Sequence, residues 1–511
     1  MNTTLTDIKT LGRLKASGYQ VLPVKDELRK NLICKLKRGE TLFPGIIGFE
    51  RTVLPQIQNA ILGRHDMILL GLRGQAKSRI IRLLPQLLDE YVPIVADSEI
   101  NDDPFAPISK YARDLIARMG DETPIAWIHR SERYGEKLAT PDTSIADLIG
   151  DIDPIKAAHQ RLTYADEEVI HFGIIPRTNR GIFAINELPD LQPRIQVGLL
   201  TIMEEQDIQI RGFNIRFPLD MMMVFSANPE DYTNRGNIIT PLKDRIDSQI
   251  ITHYPKTVEV GIEITDQEAW QNRADGVESP RVHVPYFFRE IVEQIAFEAR
   301  QSEYVDQKSG VSVRMTRAAL EDLISAAERR ALLNGEAETT VRISDLLHVE
   351  PAVTGKVELV YEGEQEGAQN VARLLVGLAV KAIFPRHFPD PSDKHNGREP
   401  YKDVFAWFAK GNTIALSPDL PATDYAQRLD RVDGLRAVVA RHVKTGTPTE
   451  AASTMEFVLE ALYQHSLVGK DQLSEEETTY NDIMGSMLSS LGSLDDDEDD
   501  FDEDDFDRRY R

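Results

Sequence analysis

The residues best suited to chemistry form one short run, Gly71-Leu72-Arg73-Gly74-Gln75-Ala76-Lys77-Ser78, spaced as G-x-x-x-x-G-K-[ST] with alanine in the sixth place. In a loop of this spacing, backbone N–H groups and the start of the next helix surround a triphosphate. The lysine then reaches the β- and γ-phosphates and the hydroxyl binds Mg²⁺. Gly71, Gly74, Gln75, Ala76, Lys77 and Ser78 are therefore the candidate ATP-binding residues, with Ser78 a direct ligand for Mg²⁺. Ala76 adds a methyl group where backbone must approach phosphate, which predicts a negative φ at that position.

A second group closes the apolar run "RGIFAINELPDL", residues 180–191. Glu187 is placed to orient or deprotonate an attacking water, or alternatively to cap a helix near Pro189 and Asp190. Asn186 can hold a magnesium-bound water by hydrogen bond but brings no charge, so weaker metal binding and slower turnover are expected. Asn228, at the end of "MMMVFSA", either touches the γ-phosphate or serves as a turn residue in "NPED". Arg245 in "TPLKDRID" either reaches a nucleotide on a neighbouring subunit, neutralising transition-state charge, or pairs at the surface with Asp244 or Asp247.

The elements that must position these residues are legible as alternating patterns. "DMILLG" at 66–71 is a short apolar strand, and "AKSRIIRLLPQLLDE" at 76–90 takes up helical spacing. Apolar runs at 91–96, 181–185, 221–227 and 248–254 predict further buried strands separated by helix-length segments. Strands alternating with helices imply an α/β fold with a parallel sheet covered on both faces. An insertion-like segment occupies 150–179, and "DIQIRGFNIRF" at 207–217 predicts a hairpin. From about Pro285 the pattern turns helical, and 352–480 reads as mixed or helical with no chemistry motif.

Taken in order, these residues resemble the AAA+ ATPases of the branch that contains the MoxR proteins and the ATPase subunit of magnesium chelatase. The resemblance covers about residues 40–350. It rests on the phosphate loop together with "INDDPF" (100–105), "LIGDIDPIKAA" (148–158), "NRGIFAINELPDL" (179–191), "SANPED" (226–231) and "PLKDRID" (241–247). It implies Asn228 as sensor one, Arg245 as an arginine finger, and Arg314 in "GVSVRMTRAAL" as sensor two on a lid helix. It also implies a ring, expected to be a hexamer, and a separate partner with an adhesion-site (von Willebrand A-type) domain. This chain has no D-x-S-x-S of its own; "DTSIA" at 142–146 fails at the last position. Asn186 departs from the branch, where most members have Asp.

The expected organisation is an N-terminal helical segment (1–39), an AAA+ core (40–280) with an insertion near 135–179 and the hairpin, a helical lid (281–350), a C-terminal extension (351–480) and an acidic disordered tail (481–511). The net charge of −24 is uneven, since residues 495–511 hold 11 acidic residues against three arginines. An acidic body disfavours nucleic acid as a partner. No run approaches the ~18 apolar residues of a membrane span, and a cytoplasmic location is expected. The lone cysteine, Cys34, excludes an intramolecular disulfide and is expected to be a buried thiol.

Three functions fit these residues. The first is a ring ATPase whose hydrolysis remodels a partner or loads metal into it, supported by Glu187 and Arg245 together. The second is a nucleotide-gated scaffold with slow or no hydrolysis, supported by Asn186. A sigma-54-type transcription activator is disfavoured, because neither a GAFTGA loop nor a C-terminal helix-turn-helix is found.

Overall fold

The computed structural model describes residues 5–153, 167–205, 207–209, 216–228, 237–273, 279–393, 397–474 and 477–483. The chain divides into two compact units, residues 1–254 and 255–511. The acidic tail from residue 484, the tip of the hairpin at 210–215, residues 154–158 of "LIGDIDPIKAA" and the "PED" of "SANPED" lie outside the described residues.

The first unit is an α/β structure. Its strands are β1 (Met67–Leu70), β2 (Tyr91–Val95), β3 (Ile125–His129), β4 (Tyr134–Leu138), β5 (Gly150–Ile152), β6 (Ile170–Phe172), β7 (Gly181–Asn186), β8 (Asp207–Gln209), β9 (Arg216–Pro218), β10 (Met221–Ala227) and β11 (Ser248–Ile251). Five form the central sheet in the order β11-β1-β10-β7-β4, every neighbouring pair parallel. Burial of both faces explains why β1, β7 and β10 read as unbroken apolar runs.

Side-chain alternation sorts those runs onto two faces. Met67, Leu69, Ile182, Ala184, Met222, Val224 and Ile250 pack with Ile80, Ile81, Leu28, Leu32 and Ile57 from helices on one side. Ile68, Leu70, Phe183, Ile185, Met223 and Phe225 pack with Ile195, Leu199, Ile202 and Leu242 on the other.

Several expectations are corrected. Residues 91–96 do not join the central sheet; β2 pairs with β3 in a separate antiparallel ribbon. Pro93 within β2 has no N–H to give a central strand. The central sheet instead takes β4 at its edge, and the small β5–β6 ribbon follows it in the chain. β8 and β9 pair antiparallel, as the hairpin pattern required. Cys34 is exposed rather than buried, on the helix Val24–Arg38, whose buried side carries Val24, Glu27, Leu28 and Leu32.

That helix is tied to the sheet by charge. The Arg133 guanidinium donates to both Glu27 carboxylate oxygens at 2.7 Å and to the Arg180 carbonyl at 2.7 Å, with both side chains almost fully buried. Asp220, just before β10, accepts the Val24 N–H at the start of the helix at 3.0 Å. The fixed fork geometry of arginine suits such a buried bidentate pair.

The second unit is mainly helical, with Tyr286–Ala299, Val313–Asn334, Ala368–Ile383 and Pro448–Gln464 as its longest helices. They share one hydrophobic cluster in which Phe287 stacks on Phe457, ring centroids 4.5 Å apart. A parallel pair, β12 (Arg281–His283) with β13 (Glu338–Thr340), lies in it, as does an antiparallel sheet of β14 (Ile414–Leu416), β15 (Gly469–Ser474) and β16 (Glu477–Asn481). No helix among the described residues is long and apolar enough to cross a membrane.

Candidate nucleotide site

β1 ends at Leu70, the loop 71–76 follows, and the helix Lys77–Leu83 continues into the turn Leu84–Leu87. The loop is clamped from inside. Thr252, one residue past β11, donates from its hydroxyl to Gln75 Oε1 at 2.7 Å and from its N–H to the Leu70 carbonyl at 2.7 Å. Tyr254 donates its hydroxyl to the Arg73 carbonyl at 2.9 Å. A Cβ on Gly71 would lie 1.9 Å from Thr252 Oγ1 and 2.2 Å from Gln75 Oε1, so only glycine fits there. Gln75 is buried in this clamp, holding the loop's shape through its side chain.

Lys77 is nearly buried, and its ammonium donates to the carbonyls of Gly71 and Leu72, the latter at 3.0 Å, and to Asn228 Oδ1 at 2.6 Å. The residues adjoining β1 and β10 thus meet on one cation. Ser78 is exposed at the start of the helix, where a metal-bound phosphate could approach its hydroxyl. Ala76 corrects an expectation, since its φ is +55° and ψ 12°. A left-handed alanine costs roughly 1–2 kcal/mol, held here by the clamped loop.

β7 delivers Asn186 and Glu187 to the same end of the sheet. Asn186 is buried and fixed at both ends of its amide: Nδ2 donates to Glu136 Oε1 of β4 at 2.6 Å, and Oδ1 accepts from the Ser226 hydroxyl of β10 at 2.9 Å. Glu187 follows with φ +54° and ψ 50°, and its N–H donates to Ser226 Oγ at 3.4 Å. It precedes the short turn Leu188–Asp190 but its side chain makes no capping hydrogen bond, so capping does not account for the acid.

Arg245 ends the helix Thr240–Arg245 and is paired, though with neither aspartate beside it. It donates to Glu204 Oε2 from Nε at 3.0 Å and from a terminal nitrogen at 2.6 Å, and to the Pro241 carbonyl at 2.9 Å. Asp247 accepts the Asp66 N–H at 2.9 Å instead. Arg314 is exposed in the first turn of the helix Val313–Asn334, its N–H bonded to Ser312 Oγ at 3.1 Å. It belongs to the second unit.

Two functional-looking features escaped the sequence. Glu136 lies against Asn186 and is held by Arg82 and Tyr134, and nothing in "YGEKL" marks it. Asp102 of "INDDPF" proves to be a buried hub, accepting the N–H groups of Ile108 and Ser109 at 2.7 and 2.8 Å and the hydroxyls of Ser98 and Ser109 at 2.6 Å. The Asp-Asp-Pro pattern was the available signal for a tight structural turn.

The donor set fits a magnesium nucleotide: a glycine-lined loop that a Cβ would obstruct, a lysine drawn to the loop's mouth, and an exposed hydroxyl one residue on. When bound, ATP with Mg²⁺ would supply an activated phosphoryl group and a cation neutralising its charge.

No known protein-family profile matches the chain. Among solved structures it is similar to a Cytophaga hutchinsonii protein described as an ATPase, at 15% identity and TM-score 0.29, covering 71% of this chain and 97% of that one. It is also similar to a chain in the BchI–BchD complex of magnesium chelatase, at 19% identity and TM-score 0.32, covering 63% of this chain and 98% of that one. NtrX from Brucella abortus matches at 15% identity and TM-score 0.32, with 56% of its length covered.

Proposed function

We propose that the chain is an ATP-binding AAA+ ring ATPase of the MoxR and magnesium-chelatase-subunit-I type. In this reading it hydrolyses ATP in a hexameric ring in the cytoplasm, to remodel a partner bearing an adhesion-site domain or load metal into it. The observation that carries the reading is the meeting of Lys77 with Asn228 at the mouth of the phosphate loop, beside the strand that ends in Asn186-Glu187. Lys77 and Ser78 hold the phosphates and the metal, Glu187 orients the water, Asn228 reports the γ-phosphate as sensor one, Arg245 neutralises charge at a neighbouring subunit's site as an arginine finger, and Arg314 serves as sensor two. The left-handed backbone at Glu187 supports a functional role, because such conformations cluster where a side chain must be aimed.

A second reading, a nucleotide-gated scaffold that hydrolyses slowly or not at all, is favoured by the uncharged Asn186. Turnover of ATP with Mg²⁺ by wild type beside Glu187→Gln, with the oligomer followed by size-exclusion chromatography, separates the two. Turnover lost in Glu187→Gln supports the motor. Tight ATP binding without turnover in wild type overturns it in favour of the scaffold.

A further inference from the structure

The site has one property that its sequence motif does not explain: β7 ends in an amide, and the nearest carboxylate is on the next strand. Glu136 is partly buried, its side chain 20% exposed, and is gripped from three sides. Arg82 binds it bidentately, Nε to Oε2 and a terminal nitrogen to Oε1, both at 2.9 Å; Tyr134 donates its hydroxyl at 3.1 Å; Asn186 donates Nδ2 at 2.6 Å. The Arg82 guanidinium holds the Glu136 carboxyl below the usual carboxylate range, despite partial burial.

The placement is specific. Glu136 sits opposite Ala184 and Leu138 opposite Asn186 in the parallel ladder, so Glu136 and Asn186 share the sheet face covered by the helix Lys77–Leu83. On that helix Arg82 is four residues after Ser78, one turn along the same side. The carboxylate therefore lies between the metal-side hydroxyl's own helix and the amide at the end of β7. An aspartate at 186 would set two carboxylates about as close as the present 2.6 Å contact, a pair that cannot both ionise without a cation between them. Asparagine is the residue compatible with Glu136, because its amide donates where aspartate would repel.

We propose that Glu136 supplies the negative charge that position 186 lacks, and acts as a positioning residue for the magnesium of bound ATP. It works through Asn186 and the metal's water shell, not as a direct ligand. This inference rests on the ATPase reading above. It changes one consequence of that reading: Asn186 does not mark a lost metal site but a carboxylate moved from β7 to β4.

The test uses full-length protein and a fluorescent ATP analogue, titrated with Mg²⁺ and with EDTA. Wild type, Glu136→Gln, and the double variant Glu136→Gln with Asn186→Asp are compared, each after a thermal melt that establishes folding. Glutamine keeps an acceptor for Asn186 and removes the charge, its amide nitrogen replacing the oxygen that accepts from Arg82 Nε and Tyr134. The expected result is that the gain in affinity given by Mg²⁺ falls about tenfold in Glu136→Gln, the scale of outer-shell effects on metal affinity, and recovers in the double variant. A folded Glu136→Gln protein with the full wild-type Mg²⁺ gain overturns the role of Glu136 and leaves the ATPase reading intact. A wild type whose nucleotide affinity is indifferent to Mg²⁺, or that binds no nucleotide, overturns the ATPase reading itself.

Discussion

Lys77 Nζ lies 2.6 Å from Asn228 Oδ1 while also bonding the carbonyls of Gly71 and Leu72. The Lys77 ammonium is thus occupied by the loop's own carbonyls and by the residue that follows β10. In the proposed ATPase a phosphate arriving at the loop would exchange these bonds, coupling nucleotide entry to the end of β10. Replacing Lys77 with Ala is predicted to weaken ATP binding by about 10–100-fold, the range for losing charge-assisted hydrogen bonds. Asn228→Ala should spare most affinity and reduce turnover. Equilibrium titration beside a phosphate-release assay checks both, and an Asn228→Ala protein with wild-type turnover would remove that residue from the site.

Gly71→Ala is predicted to destabilise the first unit by about 1–3 kcal/mol, the usual cost of overpacking, because the new methyl meets Thr252 and Gln75. Adding Thr252→Ala should recover part of the loss. Thermal unfolding of the single and double variants is the measurement.

Ala76→Gly should act in the opposite direction. Glycine takes a φ of +55° without steric cost, so a gain of about 1 kcal/mol is predicted. A lower melting temperature would mean that the alanine methyl packs usefully against the neighbouring core.

The Arg245–Glu204 pair is partly exposed, and pairs of that kind contribute about 0–1 kcal/mol. Arg245→Ala is therefore predicted to leave the melting temperature nearly unchanged. It should lower turnover by about 10³-fold if Arg245 serves a neighbouring site, with ATP affinity retained. Equal losses of stability and turnover would assign it a structural role.

In the second unit, burial pushes the Glu456 carboxyl above its usual range, although Tyr425 donates to it at 2.6 Å and the Ile343 N–H at 2.9 Å. A raised folded-state pKa means stability that is present below the unfolded value and lost as pH rises through the folded one. Glu456→Gln keeps the acceptor and removes the titration. Its melting temperature is predicted to vary less with pH across the interval from the usual glutamate range up to neutrality. Part of the slope should remain, because burial also raises Glu293 and Asp345.

The sheet was legible because fully buried parallel strands leave long apolar runs, and the strand, loop and helix at 67–83 because glycines break the apolar run before helical spacing begins. Asn186, Glu187 and Asn228 could be placed at strand ends for the same reason. Glu136 could not, since its significance comes from register: it meets Asn186 only because β4 lies beside β7, and no local pattern encodes that neighbour. The sign of φ at Ala76 was also hidden, because it depends on the clamp made by Thr252 and Tyr254, some 180 residues away. β2 was legible as a buried strand, but apolar content cannot say whether a strand joins the central sheet or a two-stranded ribbon. The partner of Arg245 was missed because Glu204 stands on a different helix, 41 residues earlier.

The bond between Val24 and Asp220, 196 residues apart, bears on how the chain is made. The helix Val24–Arg38 leaves the ribosome before the sheet it packs on, yet its buried glutamate waits for Arg133 and its first N–H waits for Asp220. Glu27 cannot be satisfied until about half of the first unit has been synthesised, and Val24 until most of it has. Contacts of such sequence separation slow folding and leave apolar surface uncovered meanwhile. Leu28 and Leu32 must therefore stay shielded through much of translation, and a nascent chain halted before β10 presents an amphipathic helix with no sheet to receive it.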